Sequence, residues 1–321
     1  MGNEESALDL FEVVEQIGNP AMRETLRSFA KSVAERSKQE AEEKKEIAKV
    51  IQFPLPFPVE TRPASNDLIR SALFAAVQGK DRQHFSDYVQ LASIGDKEIW
   101  YKGDQFNQDD HDAFMQMIFM AQHKPLGEDV KVSFRSFVAG LGKGYGSDTR
   151  EAVAQSVDRL ISGTVKLINK RAGLNYIGHL VHDGMVPSDQ QHLPRLERDL
   201  TYQINPKLAP YFSRSAFTLI DWTQRLKLKR QELAKWIHLW LASNAEYYPT
   251  KVETIREKCG SQTAELYKFR QMLRSALKAL ENSGVIGVWY IEKGSDLLYI
   301  DTKPSQSQRK HLGKAKRRRQ R

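Results

Sequence analysis

Residues 249–302 read PTKVETIREKCGSQTAELYKFRQMLRSALKALENSGVIGVWYIEKGSDLLYIDT. The order in that stretch is a short helix, a Gly-Ser turn, a long amphipathic helix and a β-hairpin. In the long helix Leu266, Phe269, Leu273, Leu277 and Leu280 recur every three or four residues and make one apolar stripe. Lys268, Arg270, Arg274 and Lys278 lie off the stripe. Gly260 suits the turn, Ser261 is a good N-cap, and Ser283-Gly284 ends the helix before an alternating strand from Ile286 to Ile291 and its return from Leu297 to Ile300. The connection around Lys293-Gly294-Ser295 is then a wing. Helix, turn, helix and hairpin in this order make a winged helix, which packs on one side of its long helix and presents the other to DNA.

The same order is found upstream. Phe134 to Leu141 is a short apolar helix, Gly142 to Gly146 a glycine-rich turn, and Asp148 to Ile161 a helix with Val153, Val157, Leu160 and Ile161 on one face. Ser162-Gly163-Thr164-Val165 repeats the ending Ser283-Gly284-Val285, and strands are expected at Val165 to Ile168, Tyr176 to Val181 and Leu200 to Ile204. A strongly apolar helix precedes each unit, Asp112 to Gln122 in the first and Leu226 to Ala242 in the second. The expected fold is α+β, with two tandem winged-helix domains at 61–205 and 206–302. Residues 1–60 form an acidic, helical or flexible N-terminal extension with a proline-rich linker, and 303–321 a disordered basic C-terminal tail.

Charge supports those boundaries. The nine bases of residues 303–321, with no acid among them, equal the whole chain's net charge of +9, so residues 1–302 sum to zero. Residues 1–60 hold 12 acids and 8 bases. The tail, with Lys314, Lys316, Arg317, Arg318 and Arg319, is read as an electrostatic arm for DNA phosphates, or else as a solubilising terminus. Phe53-Pro54-Leu55-Pro56-Phe57-Pro58 favours an extended boundary segment. Upstream, Ala21 to Val50, with Leu26, Phe29 and Val33 at helical spacing, reads as a solvated helix or a coiled segment, and as a charged spacer in preference to a dimerisation zipper because Arg36 to Lys45 lacks large apolar residues. No run is long and apolar enough for a membrane span, and the acidic start is unlike a secretory signal. A single cysteine, Cys259, excludes internal disulfides and a cysteine-based zinc cluster, and fits a reducing compartment.

Three stretches resemble the TrfA-type plasmid replication initiators: Ala64-Ser65-Asn66-Asp67-Leu68-Ile69-Arg70-Ser71-Ala72-Leu73-Phe74, the segment from Lys251-Val252-Glu253-Thr254-Ile255-Arg256 to Cys259-Gly260-Ser261, and Ser283-Gly284-Val285. The resemblance spans about residues 61–302. It implies two winged-helix domains, binding of double-stranded plasmid origin DNA at repeats called iterons, opening of an adjacent AT-rich segment, and recruitment of the host replicative helicase or its loader. A bacterial cytoplasmic location and a homodimer in equilibrium with a DNA-binding monomer go with it. Ala7-Leu8-Asp9-Leu10-Phe11 looks like the pentapeptide that docks into the replication sliding clamp, with Leu10 and Phe11 as anchors, Leu8 in support and Asp9 at the variable position; Ala7 stands where glutamine is usual. The same five residues also fit an ordinary first amphipathic turn.

Recognition helices point their N-terminal residues at base edges, so Gln262, Thr263, Tyr267, Lys268, Gln271 and Arg274 are the DNA-binding candidates of the second unit, and Arg150, Gln155 and Arg159 those of the first. Chemistry is not expected. The glycine run from Gly140 to Ser147 fails phosphate-loop spacing, His179 and His182 match no metal signature, and Asp109-Asp110-His111-Asp112 reads as a helix cap cluster. No nucleophile, base and orienter assemble, and no cofactor or metal is implied. The rivals are a tandem winged-helix transcriptional repressor without origin-opening activity and a rolling-circle relaxase, whose histidines are missing.

Overall fold

The computed structural model describes residues 24–26, 28–29, 31–32, 56–94, 97–169, 174–183, 199–213, 216–244, 246–302 and 308. The clamp-like pentapeptide, the linker up to Leu55, and the tail bases Lys314, Lys316, Arg317, Arg318 and Arg319 lie outside them. The chain divides into Met1–Ile51 and Gln52–Arg321. In the first unit the described residues are helical, and Phe29 is 60% exposed, as a solvated helix requires.

The second unit is mixed α/β. In order come β1 (Thr61–Ser65), α1 (Asn66–Ile69), β2 (His84–Leu91), β3 (Lys97–Asp104), α2 (Gln108–Met120), β4 (Val130–Ser133), α3 (Phe134–Gly140) and α4 (Ser147–Ser162). They are followed by β5 (Thr164–Asn169), β6 (Leu174–His179), β7 (Val181–Asp183), β8 (Asp199–Ile204) and β9 (Phe217–Asp221). The last third holds α5 (Trp222–Lys227), α6 (Glu232–Ser243), β10 (Thr250–Lys251), α7 (Val252–Lys258), α8 (Leu266–Ser283), β11 (Ile286–Ile291) and β12 (Leu297–Thr302). The sheets are antiparallel, with strand orders β2-β3-β5-β6, β4-β8-β7, β1-β9 and β10-β12-β11.

The stripe on α8 does what its spacing demands. Phe269, Leu273, Leu277 and Leu280 are fully buried, against Trp236, Ile237 and Trp240 of α6, Val252 and Ile255 of α7, and Leu298 and Ile300 of the hairpin. Each such side chain contributes about 1.5–3 kcal/mol by leaving water. Ala76, from the segment after α1, enters the same core. Its N–H donates to Cys259 O at 2.8 Å, so the turn after α7 is fastened to the earlier half of the unit. The β1–β9 pairing joins the two halves again, in register from Thr61↔Asp221 to Ser65↔Phe217.

α8 stops because Gly284 turns left-handed, at φ +80°, and lets Val285 N–H reach back to Leu280 O at 3.0 Å. A Cβ at Gly284 would meet nothing within 4 Å, so Gly284→Ala carries backbone strain alone. The expected cost is about 1–2 kcal/mol, read as a lower urea midpoint; an unchanged midpoint would mean that the cap contributes nothing.

Four expectations need correction. α8 begins at Leu266 with Glu265 as N-cap, not at Ser261. The preceding turn is held out of the helix by Arg256 Nη1 donating to Ala264 O at 2.7 Å and by Gln262 Nε2 donating to Gln105 Oε1 at 2.7 Å. The apolar run from Leu226 to Ala242 is two helices, broken where Leu228 N–H turns back to Arg225 O and Arg230 adopts φ +59°. The strand expected from Tyr176 to Val181 divides between two sheets at the buried Leu180. α2 starts at Gln108 rather than Asp112, because Asn107 and Asp110 form a reciprocal capping box.

Candidate nucleic-acid interface

Burial of the α8 stripe turns Tyr267, Lys268, Gln271, Arg274 and Lys278 to the outside. Tyr267 is 62% exposed and receives a hydrogen bond from Gln271 Nε2 at 2.6 Å. Lys268 pairs with Glu265 at 3.0 Å in water, a contact worth well under 1 kcal/mol and readily exchanged. Arg274 and Lys278 have no carboxylate and no hydrogen-bond partner among the described residues. A helix face carrying uncompensated cations beside amide and phenol donors suits phosphates and base edges.

The hairpin is held beside this face. Arg270 Nε and Nη2 grip the two carboxylate oxygens of Asp296 at 2.8 and 2.9 Å, fixing the turn between β11 and β12 to the flank of α8. On the outer surface of the hairpin Tyr290 and Tyr299 stack at 4.7 Å with 7° between planes, and Val288 is 71% exposed. Gln262 and Thr263 precede α8 and do not sit in its first turn. Gln262 is exposed with its amide held by Gln105, and Thr263 Oγ1 contacts Met272 Sδ at 3.4 Å.

The candidates on α4 do not come together in this way. Arg159 points inward, its Nε and Nη2 donating to Asp110 Oδ1 at 3.2 and 2.9 Å, so its assignment to DNA is corrected to a structural ion pair. Gln155 donates to Glu151 at 3.1 Å on an exposed face that also carries Asp148, which repels phosphate. Arg150 lies against the ring of Tyr145. The outward polarity of α4 and α8 therefore differs, although their apolar patterns agree.

Sequence reasoning missed a buried ion cluster at the junction of α2, α5 and α6. Arg225, 1% exposed, donates to Asp112 at 2.7 Å, to Lys235 O at 2.5 Å and to Gln108 Oε1 at 2.9 Å. Lys235 reaches Asp109 at 2.7 Å and Asp112 at 2.9 Å. The run Asp109 to Asp112 is thus more than a cap cluster. The available signal was Lys235 within the apolar sequence of α6, since a lysine placed there needs buried acids.

Burial would raise Asp109, but Lys235 and then Lys143 hold it down at about 2. Burial raises Glu232 to about 7, with Lys235 only partly opposing it. The two act oppositely on stability. The low value of Asp109 gives stability that is present above its ordinary 3.8 and lost as pH falls through about 2. The high value of Glu232 favours folding below its ordinary 4.5, and that contribution is lost as pH rises through about 7. Glu232→Gln is therefore expected to leave stability near pH 4 unchanged and to raise it at pH 8 by about 1–3 kcal/mol. Denaturant midpoints at both pH values check this; an equal change at both would remove the titration.

The buried rings of His111 and His238 are driven down to about 3, by burial first and by Arg225 second, and stay neutral. His179 and His182 lie on separate strands with rings 6.5 Å apart. Among the described residues no helix is long and apolar enough to cross a membrane.

The family model described as TrfA protein matches residues 23–300. The chain belongs to the TrfA family. Within it the chain is similar to the plasmid replication initiator protein TrfA of Escherichia coli, 26% identical over 233 residues that make up 72% of this chain and 59% of that protein. The chain thus spans about 59% of the length of the curated relative it matches. Among solved structures, a crystal structure of domains 2 and 3 of RctB aligns with a TM-score of 0.49 and 13% identity, covering 74% of this chain and 97% of that one. A second, of RctB residues 155–483, aligns at 0.46 and 12%, covering 73% and 96%. Family membership rests on the sequence match.

Proposed function

We propose that the chain is a plasmid replication initiator that binds double-stranded origin DNA at iterons, promotes opening of the adjacent AT-rich segment and recruits host replication proteins. The single observation behind this is the exposed face of α8, with Arg274 and Lys278 unneutralised, in a chain of the TrfA family. Residues 206–302 act as a winged helix in which α8 enters the major groove and the β11–β12 hairpin is the wing. Residues 61–205 act as the other winged-helix unit. Initiation here is binding and deformation of DNA, with no covalent step, cofactor or metal. It takes place in the bacterial cytoplasm.

The host helicase or its loader is the expected partner for recruitment, and Leu8, Asp9, Leu10 and Phe11 the contact for a sliding clamp. Self-association as a homodimer competes with the DNA-binding monomer. The basic tail adds phosphate contacts without sequence information.

The rival is a winged-helix repressor that binds without opening DNA. Footprinting on the origin region, with permanganate probing of unpaired thymines in the same reactions, separates the two. Protected direct repeats with reactive thymines beside them are expected. Protection of a promoter palindrome with no reactive thymine would favour the repressor.

A further inference from the structure

Arg135 on α3 and Arg150 on the first turn of α4 face one aromatic ring. The guanidinium of Arg135 lies 4.4 Å from the centroid of Tyr145 and that of Arg150 5.2 Å from it. The ring thus holds two positive charges within about one Debye length of each other at ordinary salt, roughly 10 Å. Neither arginine meets a carboxylate among the described residues. The acids nearest in sequence, Asp148 and Glu151, accept from the neutral Ser147 at 3.2 Å and Gln155 at 3.1 Å and keep their charge, so the clamp works against their repulsion of phosphate. The neighbouring cation Lys143 is 3.6 Å from Asp109. The Nε of Arg150 is buried with no acceptor. That nitrogen is closed to solvent, so an anion would meet the outer nitrogens of the two guanidinium groups and relieve the repulsion between them.

We propose that Arg135, Tyr145 and Arg150 form a clamp for one backbone phosphate of the bound DNA. Arg150 then positions the first half of the unit and reads no base, while α8 supplies the sequence preference. The flat ring keeps both guanidinium groups in place before DNA arrives, so little side-chain freedom is lost on binding. The inference rests on the DNA-binding reading of the chain but not on its preference for repeats.

The test measures binding of the full chain to an origin repeat and to a scrambled duplex of equal length from 50 to 200 mM salt. The variants are Arg135→Gln, at an exposed position, and Arg150→Gln. Each variant is expected to lower the slope of log K against log salt by about 0.9 on both duplexes, so its deficit narrows roughly threefold across that range. The ratio of repeat to scrambled affinity should stay as in the wild type. A slope unchanged in both variants would overturn the clamp, even if inorganic phosphate raised the Tm of the wild type and not of Arg150→Gln, because the site would then take a free anion. A fall in the affinity ratio would overturn it too, by making Arg150 a base reader. A wild type with no preference for the repeat would refute the iteron reading alone, since the slope on scrambled DNA still tests the clamp.

Discussion

Arg225→Met is expected to lower unfolding free energy by about 3–5 kcal/mol, the largest effect of any single substitution considered for this chain. The methionine fills much of the space, so loss of packing is not the reason. Asp112, 7% exposed, loses the guanidinium at 2.7 Å, and Gln108 Oε1 and Lys235 O lose their donors as well. Lys235 still faces Asp112 at 2.9 Å but is shared with Asp109 at 2.7 Å. One cation is thus left against two carboxylates where water solvates them poorly, whereas removing both Arg225 and Asp112 costs much less. The double variant Arg225→Met with Asp112→Leu should therefore recover part of the loss. Urea midpoints of the wild type, each single variant and the pair give the coupling. A loss under 1 kcal/mol for Arg225→Met, or simple additivity in the pair, would show that the cluster is not a fastening between α2 and the α5–α6 pair.

Arg274→Ala is expected to weaken binding to the origin repeat about 10- to 100-fold, within the roughly 1–3 kcal/mol of a good base-edge contact, and to change binding to scrambled DNA little. Lys278→Ala, a turn further along the same face, should weaken both about equally, as a phosphate contact does. Because both residues are exposed and unpartnered, neither change should move the unfolding midpoint, so lost affinity reports on the interface. Equal loss on both duplexes for Arg274→Ala would reduce it to a phosphate contact.

The second unit was legible where local rules dominate. The stripe of Phe269, Leu273, Leu277 and Leu280, the Gly284 ending and the hairpin are all found where periodicity and turn chemistry put them, since each depends on residues a few positions apart. The start of α8 was misread because Ser261 is a good cap in isolation, while its surroundings are set by Arg256 and by the distant Gln105. The break at Leu228 has no Gly or Pro to announce it. Arg159 fitted a recognition helix by spacing but answers to Asp110, 49 positions away. The ion cluster and the Arg135–Tyr145–Arg150 stack are tertiary, and only the odd placement of Lys235 among apolar neighbours hinted at either.

The most direct test of the central claim, that the outer face of α8 lies in the DNA groove, is cleavage from a chelated iron tethered at Ser275→Cys. Ser275 is exposed on that face, and Cys259 is fully buried with its thiol pushed up to about 12, so the tether goes to the new position alone. The same chelate at Ser86→Cys, on the exposed β2 strand, is the control. Cuts from position 275 confined to the major groove within each protected repeat, with none from position 86, are the result predicted. Cuts from 86 inside the repeats and none from 275 would place another surface on the DNA and contradict it.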